Sequence, residues 1–563
     1  MGKAARERPA GKRSITMKIP MDAKLLSMMA KVFSERVCGE EETGCLVAPG
    51  QEACFQIALR RHAPRYGVRL VTVTAEAPAG LCAEVRRVGL VPAELPAYPD
   101  RNDENYITTA SGLFPDPLLP PENGGIYVPS EKWRAVWVSV RLPADLPAGD
   151  YPVTVRLQSP DEEIDETLTY TVSVASAPLP AQKLLYTQWF HCDSIADAHG
   201  VPVFSEEHWR LIGDYMRMAA QHGINVILTP VVTPPLDTAV GTERPTVQLV
   251  DVTQTADGYT LGFERFDRYV RLAQSLGIEQ FEVSHLFTQW GALCAPKVVA
   301  NVNGEVRRVF GWDTEATSPA YAGFLRAFVP AVIARFGQLG VARDHLWFHV
   351  SDEPRPVHME SYSAAAAILA PLVEGCHRID ALSDFDFYRK GLVPTPVVAS
   401  DRIEPFLKAD VPGLWCYYCG GQAVGTSNRM FGMPLTRVRA IGVQLYRSHV
   451  AGFLHWGYNF YYTQLSRRRV DPYAETDAGG AFPAGDSFSV YPCGDTVAPS
   501  LNLKTFERAL EDLRLLQGLE EKIGREATEA LLDRVAGKPI VFTDSAFGED
   551  FYRRLYTEIF RLL

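Results

Sequence analysis

The chain has 563 residues, 47% of them apolar and 22% charged, the proportions of an ordinary globular protein, which excludes disordered and fibrous classes. At roughly 150 residues per domain this length excludes a single small module. Fifty-six Lys and Arg stand against 67 Asp and Glu, a net charge of -11, which disfavours non-specific attraction to nucleic acid or to an anionic membrane surface.

Met1 to Lys18 is basic but lacks the apolar core of a secretory signal, so residues 1–20 read as a disordered tail and the expected location is cytoplasmic. Residues 21–180 read as a β-sandwich domain. Short β-branched runs, Val68 to Val73, Val136 to Val140, Tyr151 to Leu157 and Thr167 to Val174, alternate with Gly and Pro turn signals. The stretch Leu142 to Tyr151 reads as the turn of one long hairpin, and Pro178 and Pro180 as a linker.

From residue 181 to 465 apolar strands alternate with amphipathic helices, the pattern of a parallel sheet with covering helices. Eight strands are expected: Leu184 to His191, Asn225 to Pro230, Gln280 to Leu286, Leu346 to Val350, Arg378 to Ser383, Pro396 to Ser400, Gly413 to Tyr418 and Gly452 to Asn459. Helical periodicity marks Glu206 to His222, Phe263 to Leu276, Pro319 to Leu339 and Pro434 to Ser448. Eight such units fit a (β/α)8 barrel. An open doubly wound sheet is the alternative, but no G-x-G-x-x-G follows the first strand. The most apolar helical stretch, Ala364 to Val373, is broken by Pro371 and falls short of the ~18 residues a membrane span needs. Cys416 and Cys419 form a C-x-x-C with no second pair at zinc spacing, so they read as buried thiols on a strand. Residues 466–563 read as a small C-terminal region with a strand at Phe488 to Pro492 and helices over Leu503 to Glu520 and in Ala527 to Leu563.

Barrel active sites lie past the C-terminal strand ends, and polar and aromatic residues cluster there: His191-Cys192-Asp193, His285, Gln289-Trp290, Asp352-Glu353, Asp384, Asp386, Tyr417-Tyr418 and Trp456 to Asn459. The fourth strand ends abruptly in two adjacent carboxylates. Like charges side by side in a partly desolvated site raise at least one pKa, which is what a general acid requires. The alternative is that Asp352 caps a helix and Glu353 pairs with Arg355. Trp290, Trp312, Tyr417, Tyr418, Trp456 and Tyr458 lie where aromatic rings would stack on a sugar, although core packing accounts for some of them. On strand alternation Trp456 and Tyr458 share one face, and Gly457 and Asn459 the other. His191, His285 and His349 raise a metal site, but neither H-x-H nor H-E-x-x-H occurs, so no metal and no cofactor are expected. No G-x-S-x-G turn supports a serine hydrolase.

Taken together, Gly112-Leu113-Phe114-Pro115-Asp116-Pro117-Leu118, Pro147 to Tyr151, Ser351-Asp352-Glu353-Pro354, Gly452 to Asn459, Val490-Tyr491-Pro492 and Glu511-Asp512 resemble glycoside hydrolase family 123, the β-N-acetylgalactosaminidases, and the wider group sharing that catalytic domain. The resemblance implies a sandwich, a (β/α)8 barrel and a small C-terminal domain. It also implies a retaining hydrolase of terminal β-linked N-acetylhexosamine, assisted by the sugar's own 2-acetamido group. In that scheme Asp352 orients the acetamido N–H, and Glu353 protonates the leaving oxygen and then activates water. By location, Tyr418 would bond the acetamido oxygen and Trp456 would form the floor under the ring. Asn459, Asp384 and Gln289 would contact hydroxyls, with Trp290, His285 and Tyr458 nearby. Two other readings are a two-carboxylate glycosidase using Asp384 or Asp193, and a carbohydrate-binding protein without turnover. The expected partner is a carbohydrate substrate, with no nucleic acid and no membrane.

Overall fold

The computed structural model describes residues 20–62, 67–159 and 164–563; most of the expected N-terminal tail lies outside them. The N-terminal region is a sandwich of two five-stranded sheets. One contains Glu52–Arg61 and Arg134–Arg141, and the other Gly149–Ser159 and Ile164–Val174. Alternation assigns the two faces of each strand. Val136, Val138 and Val140 join Phe55, Ile57, Tyr170 and Val172 between the sheets. Ala135 and Trp137 point the other way, into the core shared with the barrel. Glu52–Arg61 and Arg134–Arg141, at the middle of the first sheet, are therefore covered on both faces along most of their length.

Leu142 to Tyr151 is not the turn of a hairpin, because the strands on either side of it belong to different sheets. The hairpin here joins Gly149–Ser159 to Ile164–Val174, in register from Gly149 opposite Val174 to Ser159 opposite Ile164. Pro143 and Pro147 mark a reversal, but turn chemistry alone does not say whether the chain returns to the same sheet or crosses to the facing one.

The central region is an eight-stranded parallel sheet, nearly closed into a barrel. Its strands are β1 (Leu185–Gln188), β2 (Val226–Thr229), β3 (Gln280–Val283), β4 (Leu346–Phe348), β5 (His377–Leu382), β6 (Thr395–Ala399), β7 (Trp415–Tyr417) and β8 (Gly452–His455). They are ordered β1-β8-β7-β6-β5-β4-β3-β2. Between β1 and β2 no full ladder forms; Asn225 closes the gap, its backbone N–H donating to the Tyr186 carbonyl at 3.1 Å and its Oδ1 accepting from the Tyr186 N–H at 2.7 Å.

The helices expected at 206, 263, 319 and 434 are present as Glu206–Gln221, Glu264–Ser275, Pro319–Gln338 and the pair Leu435–Arg439 and Ile441–Arg447. Ser205 and Ser318 start the first and third by accepting from the backbone N–H three residues on. The helix after β8 comes from beyond residue 465: Leu501–Ile523, capped by Ser500 and buried along most of its length. It packs so closely on the preceding barrel helix that a Cβ on Gly442 would lie 2.1 Å from the Ala509 carbonyl oxygen. On its other side a Cβ on Gly223 would lie 2.6 Å from Leu510.

The segments that carry the family resemblance interlock. The Tyr491 hydroxyl donates to Asp116 at 2.7 Å, and Arg439 grips Asp512 through two bonds of 2.7 and 2.8 Å. A feature without a clear sequence signal is a four-stranded side sheet built from Asp251–Thr255, Gly258–Gly262, Val298–Val302 and Glu305–Phe310 in the loops after β2 and β3. Among the described residues no helix is long and apolar enough to cross a membrane.

Candidate active site

An open pocket enclosing about 800 Å³, its solvent mouth included, lies at the C-terminal ends of the barrel strands, the face where barrel active sites sit. Its wall brings together Asp352, Glu353, Tyr417, Trp456, Gln289 and Trp290 with Tyr98 from the sandwich region and Asp486 from beyond β8. Asp352 and Glu353 are half-buried and stand four and five residues past the end of β4 at Phe348. Glu353 holds a left-handed backbone, φ 41°, a conformation that costs a non-glycine residue of order 1 kcal/mol or more and persists where surroundings over-determine it. Its N–H donates to the Ala381 carbonyl at 3.1 Å, and the Asp352 carbonyl accepts from the Trp290 N–H at 3.1 Å. Trp290 (φ 56°) and Asp237 (φ 40°) carry the same strain in the same wall.

Burial, followed by the charge of Glu353, pushes the Asp352 carboxyl well above its ordinary range. The Tyr417 hydroxyl donates to Glu353 Oε1 at 2.6 Å, so that oxygen is an acceptor. The raised Asp352 pKa favours its protonated form, and the Glu353 oxygen that Tyr417 leaves unbonded is Oε2.

Trp456 lines the pocket as expected. Its indole N–H donates to Asp486 at 3.2 Å, and Phe460 and Phe482 pack edge-on against it at 5.1 and 5.2 Å. Gln289 also lines the pocket; its Oε1 accepts from the Asp237 N–H. Trp290, 40% exposed, forms part of the rim.

Several expected contacts fall elsewhere. Tyr418 is buried against Phe453 and His455, 5.0 and 5.4 Å between rings, because β7 ends at Tyr417 and alternation turns the next side chain outward; Tyr417 takes the pocket position. Asn459 is a backbone clamp. Its amide accepts from the His191 N–H at 2.9 Å and donates to the His191 carbonyl at 3.0 Å. Tyr458 is fully buried, bonds the Tyr215 carbonyl at 2.9 Å and stacks on Phe190; β8 stops at His455, so strand alternation no longer governs it. Asp384 caps the short helix Phe385–Arg389 by accepting from the Asp386 N–H at 2.8 Å. Asp193 is buried in a two-bond pair with Arg244, and Trp312 donates to the Thr242 carbonyl at 3.1 Å. Cys416 is buried on β7, whereas Cys419 lies past the strand and lines the pocket.

His191 also reaches the pocket wall. Arg244 donates to its Nδ1 at 3.2 Å, which leaves the proton on Nε2 to meet the Trp456 carbonyl at 3.1 Å. Burial, then Arg244, lowers its pKa to about 3, so it is a neutral strut between β1 and β8.

Beneath the pocket the barrel interior holds a polar network. His349 Nε2 meets Glu282 at 2.7 Å and Nδ1 meets Asp380 at 3.1 Å. Trp189 and Thr187 donate to Glu282 at 2.6 and 2.7 Å, and Tyr362 donates to Asp380. Burial opposes the charge on His349, but the two carboxylates outweigh it and lift the pKa to about 9. His285 lies outside the pocket, stacked on His349 at 4.1 Å with ring planes 18° apart. Ligand atoms of His285, His349 and Asp380 lie within 4.8 Å of one another. Nearly parallel stacked rings cannot both aim in-plane lone pairs at one ion, however, and His349 already spends both nitrogens on carboxylates. The residues therefore do not fit a metal centre.

Asp237 and Asp486 are pocket carboxyls without a sequence motif. Asp237 sits in the long loop after β2, where neither periodicity nor spacing marks it.

No curated protein matches this chain. Among solved structures, a family 123 glycoside hydrolase from Clostridium perfringens, described as revealing the details of glycolipid glycan hydrolysis, superposes with a TM-score of 0.71 at 14% identity, covering 96% of this chain and 98% of that one. A Parabacteroides merdae β-glucuronidase (TM-score 0.30, 11% identity, 86% of this chain and 52% of that one) and a Thermotoga petrophila endo-β-1,4-mannanase (0.33, 13%, 60% and 78%) are far more distant. The family model for the glycoside hydrolase 123 catalytic domain matches residues 189–519, which run from just after β1 through β8, include both carboxyls and reach into the helix Leu501–Ile523; the chain belongs to glycoside hydrolase family 123 and is a glycosidase.

Proposed function

We propose that the enzyme removes terminal β-linked N-acetylhexosamine, N-acetylgalactosamine above all, with retention and through the substrate's own acetamido group. The observation that carries this reading is the adjacency of Asp352 and Glu353 in one wall of an aromatic-lined pocket, while Asp193 and Asp384 are committed elsewhere. A conventional retaining pair needs carboxyls about 5 Å apart flanking the glycosidic bond; neighbours on one strand end suit a division of labour on the same side.

In this scheme the acetamido oxygen attacks the anomeric carbon as the bond to the leaving oxygen breaks, and Glu353 delivers its proton to that oxygen. Asp352 accepts the acetamido N–H, which it does best when ionised. Binding thereby drives the pair's shared proton from Asp352 to Glu353, where the departing group needs it. Glu353, now a carboxylate, takes a proton from water as water opens the oxazolinium-like ring. Trp456 supplies the apolar face under the sugar. The glycolipid glycans named for the Clostridium perfringens enzyme make a lipid-linked glycan the aglycone class to try first.

A panel of aryl β-N-acetylgalactosaminides, β-N-acetylglucosaminides and plain hexosides tests the reading. Turnover confined to the N-acetyl sugars, blocked by a thiazoline mimic of the cyclised intermediate, is expected. Turnover of plain hexosides with covalent trapping by a fluorosugar would overturn it, and would move the nucleophile's role to Asp237, the pocket carboxyl with an open oxygen.

A further inference from the structure

Asp237 is held more firmly than a loop residue needs to be. Its backbone sits at φ 40°, a strained position for an aspartate, and three bonds keep it there. Its N–H donates to Gln289 Oε1, its carbonyl accepts from the Ser466 hydroxyl at 2.7 Å, and its carboxylate Oδ2 accepts from the Leu465 N–H at 2.9 Å. The loop after β2 is thus pinned to the loop after β3 and to the segment after β8. Among the described residues none donates a hydrogen bond to Oδ1, and the residue lines the pocket.

The other carboxyls of the pocket differ. Asp352 and Glu353 are occupied by the chemistry proposed above, and Asp486 receives Gly420 N–H at 3.0 Å and the Trp456 indole at 3.2 Å on Oδ2, while its Oδ1 is buried 3.4 Å from His455 Nε2, out of a ligand's reach. We propose that Asp237 is the specificity residue of this site, its open Oδ1 accepting a hydrogen bond from one ring hydroxyl of the non-reducing sugar. This deepens the N-acetylhexosaminidase reading and rests on it. A fixed carboxylate oxygen suits that role, since a hydrogen bond to a charged acceptor discriminates strongly against an analogue lacking the donor, which leaves the acceptor dry and unpaired.

The test measures kcat/KM for the wild type, Asp237→Gly and Asp237→Asn on an aryl β-N-acetylhexosaminide and on its 3-, 4- and 6-deoxy forms, with Tm recorded for each protein. Glycine adopts φ 40° without strain, so in Asp237→Gly the relieved strain offsets the lost bond from the Leu465 N–H, and a Tm close to that of the wild type is expected. On the parent sugar kcat/KM falls by about 10- to 100-fold. On one deoxy sugar, and only one, wild type and both variants become nearly equal, because the hydroxyl that Asp237 recognises is already gone. An equal loss on all three deoxy sugars overturns the proposal, as does fluorosugar trapping on Asp237. Absence of wild-type turnover on every N-acetylhexosaminide overturns the hexosaminidase reading itself, and this inference with it.

Discussion

At the scale of single residues, the proposed chemistry rests on two side chains given different work at adjacent positions. Glu353 is restrained by Tyr417 at Oε1 and by its own left-handed backbone, so its free oxygen is aimed before substrate arrives, which is the geometry general acid catalysis needs. Glu353→Gln keeps the shape and removes the proton. Activity on sugars with poor leaving groups is expected to fall by on the order of 10² or more, and to fall far less on a dinitrophenyl glycoside, which departs without protonation; equal losses on both, in steady-state assays, would place Glu353 outside acid catalysis. The carboxyl pair was legible in the sequence because an apolar strand breaking into Asp-Glu-Pro is a local pattern. The choice between Tyr417 and Tyr418 was not legible, since a strand of three residues ends wherever its ladder ends, and one residue of difference reverses the side chain. Asp237 gave no signal because a loop position becomes functional through what pins it, and those partners, Gln289, Leu465 and Ser466, are distant in sequence.

At the scale of elements, the eight strands were readable because parallel barrel strands are covered on both faces and so appear as unbroken apolar runs. The polar residues on their inner faces are less obvious, and they tie strand to strand. Glu282 lies on β3, His349 follows β4, Asp380 lies on β5, and Thr187 of β1 closes the circuit. The imidazolium between the two carboxylates makes this core sensitive to alkali. Its folded pKa of about 9 lies above the ordinary 6.5, so its contribution to stability is full below 6.5 and is lost as the pH rises through 9. Melting temperatures recorded from neutral pH upward are expected to drop across that window. His349→Gln, less stable at neutral pH, should show a shallower drop; a parallel drop in both proteins would remove the imidazolium from the explanation.

At the scale of the whole molecule, the sandwich and barrel do not behave as a catalytic unit with an accessory attached. Trp137 is fully buried on the sandwich face that meets the barrel, within the same apolar cluster that contains the barrel strands and the helices after residue 500. The sandwich region also places Tyr98 in the pocket wall and Asp116 under the Tyr491 hydroxyl. Sequence texture distinguishes a β-rich N-terminal region from the barrel, but periodicity reports only that a side chain is buried, not which partner buries it. A shared core implies shared unfolding, since neither region can lose the interface without exposing its own apolar face. Trp137→Ala should cost about 3–5 kcal/mol and lower the melting of sandwich and barrel together. Calorimetry is expected to show one endotherm in both proteins, displaced as a whole in the variant. Two endotherms, with only the lower one moved by the substitution, would mean that the sandwich melts on its own and that Tyr98 is an addition to a pocket the barrel completes without it.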